Sequence, residues 1–423
     1  MQNLNGKKLL VLGGAFQHCK IVRTAQNLGV KVYVTDYLKD SPAKRIADKA
    51  YMYNITDVDS IAAMCKDEHI DGIITGYIDP CQRPYQQLCE KLGMPCYCTK
   101  QEVFNLTDKH AFKKMCMENG VDIIPEYPES DFLDGKEPED IKYPLFVKPV
   151  DSRGSRGQTV CYNRDDVIKA IAFARSESSN GDILIEKFME NQNEFQVTYF
   201  FINGEAYLLR TADRHLGGIK YGLEKVSICT ASPSKHTELY LSSAHNNVVN
   251  MLKNLGIKNG PVFMQGFIDD GKFRFFDPGR RFPGSDFENI YKQVFGKDLM
   301  ELLVIFALTG KMPSVELPLD SVNLKGHYFA LLFPTIKSGK ISRFDGLDAL
   351  NNNPNVINIF PRYSLGDKVE MTYDIKQRFA EIDILGKDKK DLISSIKLVQ
   401  DSLKIFDENN QDMVYAKFDV SLI

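Results

Sequence analysis

The chain has 423 residues, more than one hydrophobic core usually supports, so two or three domains are expected. With 43% hydrophobic and 26% charged residues it reads as an ordinary soluble globular protein, and a formal net charge of -3 points to neither a nucleic-acid nor a membrane partner. The start, MQNLNGKKLLVLGG, lacks the pattern of a signal peptide, the run LMELLVIFALTG contains Glu301 and is too short to cross a bilayer, and nine scattered cysteines read as reduced thiols of a cytoplasmic protein.

The first hundred residues alternate short apolar strands with helical patterns. Residues 9–12 form a β-run ending in Gly13-Gly14, and a helix follows over 17–28. A strand at 31–35 ends at Asp36; then come a helix at 57–68, a strand at 72–75 and a helix at 82–92 closed by Gly93. This order predicts a parallel sheet with helices on its faces, a Rossmann-type unit. The turn Gly13-Gly14-Ala15-Phe16-Gln17 lacks the G-x-G-x-x-G spacing of a dinucleotide site, which counts against a nicotinamide-dependent oxidoreductase. Gly13, Gly14, Asp36, Gly76 and Asp79 fall where such sheets meet ligands; substrate contact and turn punctuation fit them equally. Cys81, Cys89, Cys96 and Cys98 read as small buried thiols, because no histidine pair or second C-x-x-C accompanies them.

Thr107 is the expected N-cap of a helix running from Lys109 to Gly120, and the proline- and acid-rich stretch 125–144 is a connector. Strands are predicted at 145–150, 158–162, 182–186 and 194–202, with a helix at 165–175. A strand at 206–210 precedes Asp213-Arg214-His215. A hairpin at 262–268 and 273–277 turns on Asp269-Asp270-Gly271, and a late helix spans 389–408.

Four features carry chemistry. Lys148 ends the apolar run Pro144-Leu145-Phe146-Val147, against the trend for charge to stay outside. The loop after it holds Ser152, Arg153, Gly154, Ser155, Arg156 and Gly157; its glycines let backbone approach a ligand, and its N–H groups and arginines suit phosphate oxygens. Lys109, at a helix start, supplies a second cation for the same polyphosphate. Glu186 closes another apolar strand before Lys187 and Phe188, and Glu194 follows; backbone there suits an adenine edge and a second carboxylate suits ribose hydroxyls. Lastly, Gln265 and Asp277 lie on partner strands and offer oxygen ligands to Mg²⁺, with Arg281 near enough for a carboxylate or acyl phosphate.

Taken in order, these motifs resemble the ATP-grasp superfamily, and in particular its carboxylate–amine ligases: amino-acid ligases, phosphoribosylglycinamide synthetase, biotin carboxylase and carbamoyl-phosphate synthetase. The resemblance implies a mixed α/β and α+β architecture. A Rossmann-like pre-ATP-grasp domain spans 1–106, a small lid subdomain 107–190, and a large subdomain with C-terminal extension 191–423. It implies that Lys109 and Lys148 contact ATP phosphates and that the loop 152–157 closes over them. Glu186 and the backbone through Phe188 would hold adenine, Glu194 the ribose, and Asp213-Arg214-His215 a further phosphate or substrate contact. The family's E-x-N-x-R reads Asp277-Pro278-Gly279-Arg280-Arg281 here, and Gln265 stands where a metal-binding Glu is usual, so two ligands are changed; either metal affinity falls, or a substrate oxygen, Asp286 or Glu288 fills in. The implied activity is ADP-forming ligation of a small-molecule carboxylate to an amine with ATP and Mg²⁺, in a homodimer by analogy. The alternative is an ATP-binding protein with a degenerate metal site and no ligase activity.

Overall fold

The computed structural model describes residues 3–134, 141–150, 157–189, 194–284 and 287–423. It opens with β1 (Lys8–Leu12), α1 (His18–Asn27), β2 (Lys31–Thr35), β3 (Lys49–Tyr51), α2 (Val58–Asp67), β4 (Gly72–Ile74) and α3 (Asp79–Leu92); all but β3 follow the alternating pattern read from the sequence. The strands form a parallel sheet in the order β3-β2-β1-β4. Leu9 through Leu12 are fully buried, as a central strand covered on both faces requires. Helix α3 starts earlier than expected, at Asp79, because Pro80 is well suited to a first turn and Asp79 faces the positive end of the helix.

Two short helices follow, α4 (Lys100–Asn105) and α5 (Lys109–Glu118). The cap of α5 is Asp108, not Thr107: Asp108 Oδ1 accepts from the Ala111 N–H at 2.8 Å, while Thr107 Oγ1 donates back to the Val103 carbonyl at 2.7 Å and closes α4. Next come α6 (Ser130–Leu133), β5 (Leu145–Pro149), β6 (Thr159–Cys161), α7 (Arg164–Glu177) and β7 (Ile183–Lys187). The three strands pair antiparallel in the order β6-β5-β7 over a core of their own that includes Phe132, Leu145, Val147, Val167 and Ile171.

The remaining chain supplies β8 (Glu194–Ile202), β9 (Glu205–Gly218), β10 (Leu223–Ser232), α8 (Thr237–Ser243), α9 (His245–Asn254), β11 (Gly260–Asp269), β12 (Lys272–Gly279), α10 (Phe287–Phe295) and α11 (Leu299–Thr309). After these come β13 (Tyr328–Leu332), β14 (Thr335–Ile336), β15 (Gly339–Asp345), α12 (Leu347–Asn351), β16 (Val356–Pro361), β17 (Lys368–Val369), β18 (Ala380–Gly386), α13 (Lys389–Ser402), β19 (Lys404–Asp407) and β20 (Val414–Ala416). Eight strands build one sheet in the order β12-β11-β8-β9-β10-β13-β18-β16.

Strand β8 shows how this sheet is two-sided. Its sequence alternates Glu194, Gln196 and Thr198 with Phe195, Val197 and Tyr199, and all six are buried. The apolar set packs against Phe112 of α5, Tyr240 of α8 and Met251 of α9. The polar set faces the other way, and the site lies there. The hairpin is as expected: Asp270 and Gly271 take φ of 49° and 72°, the paired positive values of a two-residue turn, and only glycine adopts its share without cost.

Two expectations change. Strand β9 runs on through Asp213, Arg214 and His215, which lie within it, because they pair with Ala231, Thr230 and Cys229 of β10. The last helix stops at Ser402, and Lys404–Asp407 forms β19 beside β15, since the short apolar run Leu403, Ile405, Phe406 pairs better than it would extend an already buried helix face. The run containing Glu301 is α11, capped by Asp298 and buried; no described helix is long and apolar enough to cross a membrane.

Candidate functional site

Strand β5 carries Lys148 and β7 carries Glu186, in neighbouring strands of the small sheet. Lys148 Nζ lies 2.5 Å from Glu186 Oε2, and the other carboxylate oxygen accepts from Lys113, which also reaches Glu126 Oε2 at 2.7 Å. Glu186 is 1% exposed and Lys113 4%, so this is a buried ionic cluster spanning α5 and the small sheet. Burial would push the Glu186 carboxyl up, but Lys148 and Lys113 outweigh it and hold the group below its ordinary range. Lys109, one helical turn before Lys113, makes no ion pair among the described residues. Burial and the nearby Lys148 charge push its ammonium pKa down. Three cations therefore converge here, with Glu186 and the partly exposed Glu126 bonded to Lys113 and Lys148 only. That surplus of positive charge is what an incoming anion would meet.

The depressed Glu186 carboxyl sets a pH dependence. A carboxyl lowered in the folded state stabilises the protein above its unfolded pKa, about 4.3, and loses that contribution as pH falls through the folded value. Melting temperatures measured on a descending pH series should fall steeply in this range for the native chain. They should fall less for Glu186→Gln, which has no proton to take up.

Across the large sheet, register brings the other residues into one row. Gln265 of β11 stands opposite Asp277 of β12 on one side and Gln196 of β8 on the other. Gln265 Nε2 donates to Glu194 Oε2 at 3.2 Å, and Gln196 Nε2 donates to Gln265 Oε1 at 3.2 Å. Glu194 is also paired with Arg214, its neighbour on β9. Asp277 makes no hydrogen bond or ion pair among the described residues. Its side chain opens to solvent yet is ringed by protein, and its carboxyl is pushed up by burial and by Asp79, with Arg281, Lys109 and Lys148 pulling the other way. A carboxylate left without a partner among cations, beside an amide oxygen, is a donor set that suits a hard cation.

The hairpin ends in two arginines with opposite roles. Arg280 is fully buried. Its Nε donates to Glu102 Oε2 at 2.8 Å, Nη1 to the Pro261 carbonyl at 2.7 Å, and Nη2 to the carbonyls of Tyr97 and Asn259. Arg281 turns toward the cleft and forms a two-point pair with Asp79 at the start of α3, Nη2 to Oδ2 being 2.7 Å. Gly279, where the family pattern has Asn, leaves the space this pair uses: a Cβ there would lie 3.2 Å from both Arg281 Cγ and Asp79 Oδ1.

Several expected contacts are already committed. The Phe188 N–H donates to the Pro144 carbonyl at 3.0 Å, so it is not available to a ligand in this arrangement. Asp213 is buried on the opposite face, accepting from Ser234 Oγ and the Lys235 N–H at 2.6 and 2.8 Å, and His215 packs on Phe418; of that trio only Arg214 joins the site row. Asp36 accepts from the N–H groups of Gly14 and Leu38, which is the turn role. Glu288 is buried, with Lys20 at 4.0 Å and under the influence of Arg210. Ser152, Arg153, Gly154, Ser155 and Asp286 lie outside the described residues. Gly157 is described and takes φ of 71°. The residue missed in the sequence is Lys113; its i+4 spacing from Lys109 puts the two on one helix face, a signal that was there to read.

A cavity of about 230 Å³ has a lining that includes Phe16, Gln17, Lys20, Tyr77, Gly284, Asn358 and Phe360. It sits past the C-terminal ends of β1 and β4, where parallel sheets receive ligands. A larger hollow of about 640 Å³ is lined by Phe104, His110 and Leu255 among others, and its lining includes none of Lys109, Lys113, Lys148, Glu186, Gln265, Asp277 and Arg281.

Comparison with known proteins bears on both halves. Residues 108–200 match the family of the carbamoyl-phosphate synthase L chain ATP-binding domain, and residues 9–85 match the PylC-like N-terminal domain. The first match spans Lys109, Lys113, Lys148, Glu186 and Glu194. The chain is similar to a formate-dependent phosphoribosylglycinamide formyltransferase of Sulfurisphaera tokodaii, 26% identical over 48% of this chain and 53% of that one. It is also similar to the 2-oxoglutarate carboxylase small subunit of Hydrogenobacter thermophilus, 28% identical over 45% and 44%. The chain thus spans about half the length of the curated relatives it matches. Among solved structures, an L-amino acid ligase from Bacillus licheniformis superposes with a TM-score of 0.75 at 20% identity, covering 96% of this chain and all of that one. A biotin carboxylase from Campylobacter jejuni gives 0.75 at 19%, covering 100% and 95%.

Proposed function

The chain has the ATP-grasp fold, and on that premise we propose that it is an ADP-forming ligase that activates a carboxylate as an acyl phosphate and joins it to an amine. The observation that carries the reading is the unbalanced cation cluster: Lys109 has no partner among the described residues, and Lys148 shares one buried carboxylate with Lys113. Such a cluster is costly unless an anion completes it, and nucleotide phosphates are the anion that relatives of this fold take.

In this reading ATP lies between the small sheet and the polar face of the large one. Lys148 and Lys109 hold its phosphates, and Glu186 holds Lys148 in place. Glu194, anchored by Arg214, accepts from the ribose hydroxyls. Asp277 and Gln265 offer oxygen donors to a Mg²⁺ ion carried on the phosphates, which would offset charge on the transferred group. A carboxylate oxygen attacks the γ-phosphorus and ADP leaves; the amine then attacks the acyl carbon and phosphate leaves, with the amine proton passing to solvent. Arg281 exchanges Asp79 for the substrate carboxylate. The cavity lined by Lys20 and two facing phenylalanines, Phe16 and Phe360, holds the rest of one substrate.

ADP release from ATP and Mg²⁺ against a panel of amino acids and small carboxylates tests the reading. Stimulation by one carboxylate together with a paired amine supports it. Nucleotide binding with no stimulated turnover, also after the loop-bearing chain is supplied with every panel pair, would leave the non-catalytic alternative standing instead. A further expectation concerns Gln265→Glu. It sets a third carboxylate beside Glu194 and Asp277, so the melting temperature should drop without metal. It should recover on adding Mg²⁺ and nucleotide by more than the native chain gains, since each added anionic oxygen strengthens a hard-cation site. Equal metal response in both chains would argue against Asp277 and Gln265 as the metal-facing pair.

A further inference from the structure

Cys89 lies at the end of α3, and Cys96 and Cys98 lie in the loop between α3 and α4. Cys96 Sγ and Cys98 Sγ are 3.7 Å apart. Cys96 is partly open to solvent, while Cys89 and Cys98 are buried. Thiol hydrogen bonds with Cys89 and Cys98 pull the Cys96 pKa down. The same bond raises Cys89, and burial raises Cys98. One sulfur partly open to solvent with a second, buried sulfur 3.7 Å behind it is the arrangement of an attacking and a resolving cysteine. No group of three His, Cys, Asp or Glu among the described residues is arranged to hold a metal ion.

The residue between the two cysteines ties them to the site. Tyr97 accepts from Arg280 through its carbonyl, lies under the Arg280 guanidinium at 5.2 Å from its ring, and packs its ring against Gly260. Its own N–H donates to Tyr85 Oη at 3.2 Å. Arg280 is bonded to Arg281, which faces the cleft. We propose that Cys96 and Cys98 form a reversible disulfide with small organic disulfides as oxidant, and that closing it displaces Tyr97 and loosens Arg280. The Cys96 thiolate attacks one sulfur of RSSR and expels RS⁻. Cys98 then gives its proton to solvent and attacks the Cys96 sulfur, expelling a second RS⁻. Two protein thiols are oxidised and one disulfide is reduced to two thiols, with no other reactant.

The test uses the full chain and bis(2-hydroxyethyl) disulfide, followed by blocking of free thiols and digestion with trypsin. Both cysteines fall in the single peptide between Lys91 and Lys100. The expected product is that peptide lighter by two hydrogens and unblocked, reverting on reduction, and absent in Cys96→Ser. A stable hydroxyethylthio adduct, a cross-link to the peptide holding Cys89, or two blocked thiols would each overturn the assignment. Amide hydrogen exchange over residues 259–262 and 278–282 reads the coupling. It should quicken in the oxidised chain and stay unchanged in Cys96→Ser under the same treatment; unchanged exchange in the oxidised native chain would overturn the link to Arg280. Neither readout depends on ligase activity.

Discussion

Arg280→Met is expected to lower the stability of the folded chain by about 3–5 kcal/mol, the usual cost of removing one partner from a buried ion pair. The reason lies in what Arg280 leaves behind. Glu102 is 3% exposed and takes its hydrogen bond from Arg280 Nε. The carbonyls of Tyr97, Asn259 and Pro261 take the rest. Methionine fills the volume but satisfies none of the four, and a buried carboxylate without a partner is the largest of the resulting costs. Urea denaturation would measure it. Because the loss is coupled to Glu102, the double variant Arg280→Met with Glu102→Gln should be less destabilised than the sum of the two single changes. Additive losses, or a single-variant loss under about 1 kcal/mol, a value normal for exposed pairs, would show that this clamp between the N-terminal unit and the hairpin is not held by charge.

The same pair of arginines shows where the sequence was readable and where it was not. Asp277-Pro278-Gly279-Arg280-Arg281 announced that an arginine ends the hairpin near the site, and the two-residue turn at Asp270-Gly271 sets the register as far as Gly266 opposite Phe275; a bulge between Gln265 and Gly266, which no local signal announces, then brings Gln265 opposite Asp277. Nothing local says which arginine points inward. That depends on Tyr97 and Glu102, about 180 residues away in the chain, and long-range packing of this kind leaves no periodic trace. Strand-ending Lys148 and Glu186 were legible for the opposite reason: a charge closing an apolar run is visible without knowing its partner. Their partner Lys113 was missed because a lysine inside an amphipathic helix looks like a solvated one until its face is known to be buried. Thr107 and Asp108 both cap well, and only the competing end of α4 decides between them. The extent of β9 was misjudged because Asp213-Arg214-His215 looks like loop sequence; Asp213 is tolerated in a buried strand by its two hydrogen bonds to Ser234 and Lys235.

Lys148→Ala is expected to reduce turnover by about 10²–10³-fold, the effect of removing one preorganised charge donor from a transferring group, while leaving the fold largely intact. The second half of that expectation is what makes the first informative. In the native chain one buried carboxylate, Glu186, bonds to two lysines. Taking away Lys148 leaves Lys113 and Glu186 as a matched pair with Glu126 beside them, so no buried charge is stranded. Lys113→Ala is the contrasting change. It strands part of the Glu186 carboxylate and opens a gap in α5 beneath the site, so its main effect should be on melting temperature, with nucleotide affinity falling because Lys148 is drawn more tightly to Glu186. Single-turnover ADP formation beside thermal denaturation separates the two: Lys148→Ala should be folded and slow, Lys113→Ala less stable and weaker in binding. If Lys148→Ala instead turns over at the native rate, the cation cluster is a structural ionic core, and the partnerless Lys109 becomes the residue on which a phosphate-binding role must rest.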